Sequence, residues 1–292
     1  MVETTNGVIW CASDEIKGGR QYFDQAVLSA KSFRDKNPGI GTAIFTSHED
    51  LYDDVFDFHF PIYESKEEKE WTMKYLKEWS PTKRITNLKV LCSIRSPFYK
   101  TLHLDADTFV ISDVSEIFDE LDNYSILFTN SDRTKKNENG INIGCTELTV
   151  HNAINSGVYA FKMDDAARTV LGKQWIDIIQ DRGIGEQHAL TLYIRNPKKY
   201  LSGVSWKCLD NTVYNAQRRM WRSMYEYGLW DQAKILHFGS YTSFLKVYNG
   251  EMTKDDLLDL PNVKSCDPAW LTVAPRKPDE VNSALLSSED FE

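Results

Sequence analysis

The chain has 292 residues, 41% of them apolar, and a formal net charge of −9. That is enough apolar content for one large core or two small ones, and the acidic balance argues against nucleic acid or an anionic membrane as the main partner. No stretch approaches the roughly 20 apolar residues of a membrane span.

The opening residues, Met1 to Asn6, are polar and lack the basic-then-apolar form of a signal peptide. The five cysteines (Cys11, Cys92, Cys145, Cys208, Cys266) are odd in number and scattered, with neither zinc nor disulfide spacing. A reduced, cytoplasmic setting is expected. No internal repeat of 20–50 residues is visible.

Residues 7–12 read as a first buried strand, followed by a polar loop at Ser13-Asp14-Glu15. A helix is expected from Tyr22 to about Asp35, with Phe23, Ala26, Val27, Ala30 and Phe33 on one face. Asn37-Pro38-Gly39 stops it. Strands follow at 42–46 and 56–62, so strand and helix alternate from the start, as in a parallel α/β sheet. Residues 66–79 form a charged surface helix with Trp71, Tyr75 and Trp79 packing inward. Ser80-Pro81 opens another helix, which sets Lys83, Arg84 and Lys89 on a face opposite Ile85, Leu88 and Cys92.

The next stretch, Tyr99 to Val110, is the one around which the chain is organised. An apolar strand leads into Asp105-Ala106-Asp107, the only strict Asp-x-Asp in the sequence. On an extended backbone, side chains at i and i+2 point the same way. The two carboxylates therefore converge, with Ala106 turned away. Hard oxygen ligands at the end of a buried strand suit Mg²⁺ or Mn²⁺.

Beyond it, Ser112-Asp113 caps a short helix with Val114, Ile117, Phe118 and Leu121 inward, and 125–129 is a strand. Residues 130–144 look like a flexible loop. A strand at 155–161 enters through the polar corner Asn155-Ser156-Gly157, and Asp164 caps a helix carrying Ala167, Val170, Leu171, Trp175 and Ile178. Another helix begins at Glu186-Gln187. The segment 214–230 interleaves Arg218, Arg219 and Arg222 with Trp221, Tyr225, Tyr227 and Trp230, either a sugar-stacking lid or plain core. Residues 234–239 form a late strand ending in His237 and Gly239. From 265 to 292 the chain is Pro-, Ser- and acid-rich, an extended tail.

His237 is the best third ligand, and its imidazole tilts the choice toward Mn²⁺. An Asp, Asp, His set leaves positions open for substrate oxygens. Asp14 or Glu15 could accept hydrogen bonds from a nucleobase or ribose, and Tyr22 could stack on a base. No Gly-x-Gly-x-x-Gly or Walker A motif is present, so phosphates would rely on the metal and on Lys83, Arg84 and Lys89. Asn155, Ser156 and Gly157 can serve sugar hydroxyls. Glu186, Gln187 and Asp132 are candidates to face a reacting centre.

Taken in order, these features resemble GT-A fold glycosyltransferases, near the glycogenin-like, family 8 type. Ser96-Pro97-Phe98 leading to Leu104-Asp105-Ala106-Asp107-Thr108 is similar to that family's Ser-Pro-Phe…Leu-Asp-x-Asp-Thr block. Asn155-Ser156-Gly157-Val158 looks like its Asn-[Thr/Ser]-Gly-Val strand, Glu186-Gln187 stands where it usually carries Asp-Gln, and Leu236-His237-Phe238-Gly239 is similar to its terminal His motif. The chain departs in having Glu for Asp at 186, and in a lysine, Lys246, set further from His237.

The resemblance implies an α/β fold: a single Rossmann-like GT-A domain over residues 1–264, with a mixed, mainly parallel sheet flanked by helices. Residues 1–112 would be the nucleotide half and 113–264 the donor-sugar and acceptor half. It implies a metal-dependent transferase using a nucleotide sugar, most often a UDP-sugar, and a glycan, glycoconjugate or other hydroxyl acceptor, with a homodimer left open. Asp105, Asp107 and His237 go to the metal, Asp14 and Tyr22 to the nucleotide, Lys89 to the phosphates, and Asn155 and Glu186-Gln187 to the sugar. Family-8-like chemistry retains anomeric configuration. An inverting enzyme would use Glu186 or Asp132 as base. A sugar-nucleotide nucleotidylyltransferase and a non-catalytic carbohydrate-binding relative stay open.

Overall fold

β1 (Asn6–Ala12) sends Val8 and Trp10 into one apolar cluster and Ile9 into another, all fully buried. A strand whose alternate side chains enter two cores is covered on both faces, which is why it reads as a continuous apolar run. The computed structural model describes residues 6–13, 19–47, 50–70, 81–130, 135–136, 142–143, 154–239, 241–260 and 263.

The helix Gly19–Lys36 follows, starting three residues before the expected Tyr22. Its Phe23, Ala26, Val27, Ala30 and Phe33 are buried as the spacing predicts. Asn37 ends it by donating its side-chain amide to the Phe33 carbonyl, 3.1 Å, while its Oδ1 accepts from the Val114 N–H at 2.8 Å. β2 (Gly41–Thr46) and β3 (Phe58–Pro61) come next. The helix Pro81–Ile94 leads to β4 (Lys100–Leu104), and β5 (Thr108–Val110) lies just beyond.

β6 (Ile126–Asn130) precedes a two-residue ladder, β7 (Lys135–Lys136) with β8 (Asn142–Ile143), in the segment expected to be a loop. β9 (Ile154–Lys162) is followed by helices Asp165–Thr169 and Trp175–Arg182, joined by a π-helical turn, and then by the helix Glu186–Arg195. β10 (Trp206–Leu209), β11 (Ala216–Gln217) and β12 (Ile235–His237) complete the strands.

The main sheet has seven strands in the order β10-β6-β9-β4-β1-β2-β3. Only β9 runs against its neighbours β4 and β6; the other pairings are parallel. The sheet is therefore mixed and mainly parallel, flanked by helices, as expected. A smaller sheet, β11-β12-β5, branches off where the chain leaves β4. It rests on a third apolar cluster that includes Met220, Trp221, Met224, Trp230, Phe238 and Phe244. That cluster settles the 214–230 segment: Trp221 and Trp230 are core, while Tyr225 and Tyr227 are exposed.

The short helix after β5 is Glu116–Asn123 rather than one capped at Ser112-Asp113. Asp113 instead folds its carboxylate onto the Ser115 N–H and hydroxyl. Asp164 does cap its helix, accepting from the Ala167 N–H at 2.8 Å. Trp71, Tyr75, Trp79, the tail 265–292, Cys145 and Cys266 lie outside the described residues. Cys11, Cys92 and Cys208 are in no disulfide among the described residues.

Trp175 ties this scaffold to the site. Its ring is fully buried, meets Tyr159 edge-on at 5.9 Å, and donates its indole N–H to the Glu186 carbonyl at 3.0 Å. Trp175→Ala is expected to cost about 3–5 kcal/mol, measured by denaturant unfolding.

Candidate metal and donor site

The parallel strands β1, β4 and β6 end on one edge, where β9 begins. Chain crossings of this kind leave a crevice beyond the carboxyl ends of the strands. The Asp-x-Asp lies there, but not on an extended strand. Asp105 to Asp107 form a turn: the Thr108 N–H and hydroxyl both donate to the Asp105 carbonyl, at 3.1 and 2.7 Å. The turn, not strand alternation, brings the acids together, and Ala106 packs into the apolar cluster behind it.

β5 then pairs antiparallel with β12, with Thr108 opposite His237. That register delivers the imidazole to the acids. One ligand atom from each of Asp105, Asp107 and His237 lies within 4.8 Å of the others. His237 Nε2 stands 3.2 Å from Asp107 Oδ1. Asp107 Oδ2 accepts from the Gly239 N–H at 2.9 Å, and Gly239 has a φ of +61°, a turn glycine tolerates.

Burial opposes a charge on His237, but Asp107 and Asp105 together outweigh it and raise the imidazole's pKa. A bare Nε2 lone pair facing a carboxylate oxygen would be repulsive, so a proton or a metal must lie between them. Two carboxylates and an imidazole are a donor set that fits a divalent ion.

Asp105 has further partners. Lys89 reaches it at 2.7 Å to Oδ1 and 3.1 Å to Oδ2, and approaches Ser156 Oγ at 3.3 Å and Glu186 Oε1 at 3.7 Å. Lys89 is 7% exposed, turned in against the sheet edge. Burial works against its charge, yet Asp105 and Glu186 together hold the ammonium above the ordinary lysine value. Burial alone would raise the Asp105 pKa, but Lys89, His103 and His237 together outweigh it and hold the carboxyl well below the usual range.

His103, one strand register before the acids, was not among the expected site residues. It is fully buried, stacks on Tyr159 at 4.7 Å, and donates from Nε2 to Asp105 Oδ1 at 3.4 Å. Burial pushes its pKa down, so the ring is neutral and Nδ1 is left without a partner. Its position two residues before Asp105, on the same strand face, was the available signal.

The polar corner of β9 closes the site. Ser156 donates its hydroxyl to Glu186 Oε1 at 2.8 Å, and Glu186 is buried at the start of its helix. Gly157 is where the backbone passes closest: a Cβ there would sit 2.4 Å from His237 Cε1 and 2.8 Å from Asp105 Oδ2. Asn155 accepts from the Gly157 N–H at 2.8 Å and from Asn215 Nδ2 at 3.0 Å. Asn215, also not foreseen, accepts from His237 Nδ1 at 2.9 Å.

Lys89, Asp105, Asp107, Asn155, Ser156, Gly157, Glu186 and His237 are thus gathered in one crevice. Gln187 is half-buried on the same helical turn as Glu186. Tyr22 stands 38% exposed near the start of its helix, and Lys246 is exposed on the helix Tyr241–Tyr248. Asp14, Asp132 and the Lys83 side chain lie outside the described residues.

No protein-family model matches the chain, and no curated protein matches it in sequence. Solved structures do. A galactosyltransferase, LgtC, in complex with donor and acceptor sugar analogues superposes with a TM-score of 0.53 at 13% identity, over 84% of this chain and 95% of that one. An active-site mutant of LgtC gives 0.52 at 12%, over 85% and 96%. The glycosyltransferase GlyE of Streptococcus pneumoniae TIGR4 gives 0.51 at 14%, over 87% of this chain but only 62% of GlyE. The fold of the chain is the GT-A fold of these glycosyltransferases.

Proposed function

We propose that this GT-A chain is a metal-dependent glycosyltransferase. It would move a hexose from a nucleoside-diphosphate sugar, UDP-hexose first, to a hydroxyl of a glycan or glycoconjugate, with retention at the anomeric carbon. The observation that carries the reading is the Asp105, Asp107 and His237 cluster at the carboxyl ends of the parallel strands. Support comes from the galactosyltransferase of the same fold, whose structure holds donor and acceptor sugar analogues. Residues 1–112 would bind the nucleotide, with Asp14 and Tyr22 on the base and ribose; residues 113–264 would bind sugar and acceptor. The free thiols fit a reducing compartment, the cytoplasm.

Asp105, Asp107 and His237 would hold Mn²⁺, or Mg²⁺, the imidazole favouring Mn²⁺. Bound there, the ion supplies Lewis-acid neutralisation of the charge that develops on the departing diphosphate. The chain's own groups position the reactants. Lys89 sets a buried positive charge beside Asp105, within reach of the diphosphate, and Lys83 would add to it from the same helix. Asn155, Ser156 and Gly157 line the donor-sugar side, with Glu186 held by the Ser156 hydroxyl. In a retaining transfer the leaving phosphate takes the acceptor's proton, so neither Glu186 nor Asp132 is needed as a base, and Gln187 lines the reacting face.

Glu186→Gln is accordingly expected to lower kcat by less than about tenfold. A loss on the order of 10²-fold or more would mark Glu186 as a general base and the enzyme as inverting. The deciding experiment is calorimetry with UDP-, GDP- and dTDP-sugars, with and without Mn²⁺, followed by NMR of the product's anomeric linkage. Failure to bind any nucleotide sugar in the presence of Mn²⁺ removes the reading. Binding without transfer favours a non-catalytic carbohydrate-binding relative, and consumption of a nucleoside triphosphate a nucleotidylyltransferase.

A further inference from the structure

We infer that Asn215 is a positioning residue that fixes which nitrogen of His237 faces the metal, and that its own orientation is dictated by the backbone of Gly157. The inference rests on the metal reading above and concerns the tautomer that makes it work.

The chain of reasoning starts at a donor that cannot be reversed. The Gly157 N–H points at Asn155 Oδ1, 2.8 Å away. A backbone N–H only donates, so Asn155 must present its oxygen there. The same oxygen lies 3.0 Å from the amide end of Asn215. Two oxygens would repel, so Asn215 must present its NH₂. Its second amide hydrogen meets Thr129 Oγ1 at 2.7 Å. That hydroxyl is free to accept because its own proton goes to the Val158 carbonyl at 2.7 Å.

With both amide hydrogens assigned, Asn215 Oδ1 is left facing His237 Nδ1 at 2.9 Å. An amide oxygen only accepts, so Nδ1 carries the hydrogen. The lone pair of the neutral ring is therefore on Nε2, the nitrogen 3.2 Å from Asp107 Oδ1. Asn215 is fully buried. The relay crosses from β9 through Asn155 and Asn215 to β12, and every link has one permitted direction. A second-shell acceptor of this kind orients an imidazole ligand and raises its basicity, and its loss typically costs 10–100-fold in metal affinity.

The test uses the full chain and the metal alone. Mn²⁺ affinity is measured by EPR titration for wild type, Asn215→Ala and Asn215→Asp, with thermal melting as the check on folding. Asn215→Ala is expected to bind Mn²⁺ about 10–100-fold more weakly. Asn215→Asp keeps an oxygen on Nδ1–H but loses the N–H that meets Asn155 Oδ1, and is expected to bind more weakly than wild type yet more tightly than Asn215→Ala. A packing role alone would leave Asn215→Asp no tighter than Asn215→Ala. Histidine ¹⁵N NMR of the wild type loaded with diamagnetic Cd²⁺, assigned by His237→Gln, is expected to show Nδ1–H with Nε2 on the metal. This spectrum needs no Asn215 variant to fold.

Wild type that binds no Mn²⁺ would overturn the metal reading and this inference with it. Wild type that binds Mn²⁺ with Nε2–H, an Asn215→Ala variant with unchanged affinity, or an Asn215→Asp variant as weak as Asn215→Ala would overturn this inference alone.

Discussion

Asp107→Asn is expected to abolish Mn²⁺-dependent binding of a nucleotide sugar while leaving the fold intact. The carboxylate serves two partners at once: Oδ1 faces His237 Nε2 and Oδ2 accepts from the Gly239 N–H. Asparagine can keep only one of these. If its oxygen stays on Gly239, its NH₂ meets the imidazole and a hydrogen occupies the place of the ion. The formal charge of the ligand set also falls by one. The cost in Mn²⁺ affinity should exceed the 10–100-fold typical of an outer partner. Asp107 is half-buried at a turn rather than in the core, so the melting temperature should move by only a few degrees. Calorimetry with and without Mn²⁺ reads the first quantity and thermal unfolding the second. Unchanged metal-dependent binding would take Asp107 out of the site.

Gly157→Ala is the second large effect, and here one methyl group is enough. The added carbon would lie 2.4 Å from His237 Cε1, 2.8 Å from Asn155 Oδ1 and 2.8 Å from Asp105 Oδ2. None of these is a loose chain end. Asp105 is held by Lys89 and His103, and His237 by Asn215. Relief requires either that the imidazole swing away or that β9 retreat. Retreat breaks the Asp105 N–H to Gly157 carbonyl bond of 2.8 Å, which sets the turn against the strand. Either movement scatters the ligands. Overpacking of this kind costs about 1–3 kcal/mol, and Mn²⁺ binding should fall by more than about 10²-fold. An alanine variant that folds and binds Mn²⁺ normally would show that the crevice is wider than drawn.

Much of this was legible before the coordinates. Alternating strand and helix gave the α/β sheet, because a strand buried on both faces reads as an apolar run, as β1, β2 and β4 do. The order of short motifs gave the fold family. What could not be read was the branch in the sheet. Asp105 and Asp107 were expected to meet on an extended strand; they meet because the chain turns between β4 and β5 and starts a second ladder. Their convergence was right for the wrong geometric reason. Lys89 was assigned to the phosphates from its place ahead of the acids, but its burial against Asp105 and Glu186 could not be read, because the sheet edge that turns it inward is built from distant segments. Asn215 left no local mark, because its partners His237 and Asn155 are 22 and 60 positions away; His103, two residues before Asp105, was within reach of the reading and was passed over. Asp14 and Asp132 remain expectations, lying outside the described residues.

The smaller sheet has a consequence for how the protein is made. Asp107 and the Gly239 N–H that it binds are separated by 132 positions, and β12 is among the last strands to be translated. At a synthesis rate of about 5–20 residues per second, a nascent chain displays its two acids for roughly 6–26 s before the imidazole leaves the ribosome. During that interval the partial product holds two carboxylates without the imidazole or the turn at Gly239. The crevice is therefore completed late, and an abortive product ending before residue 237 would lack the imidazole that faces the two acids.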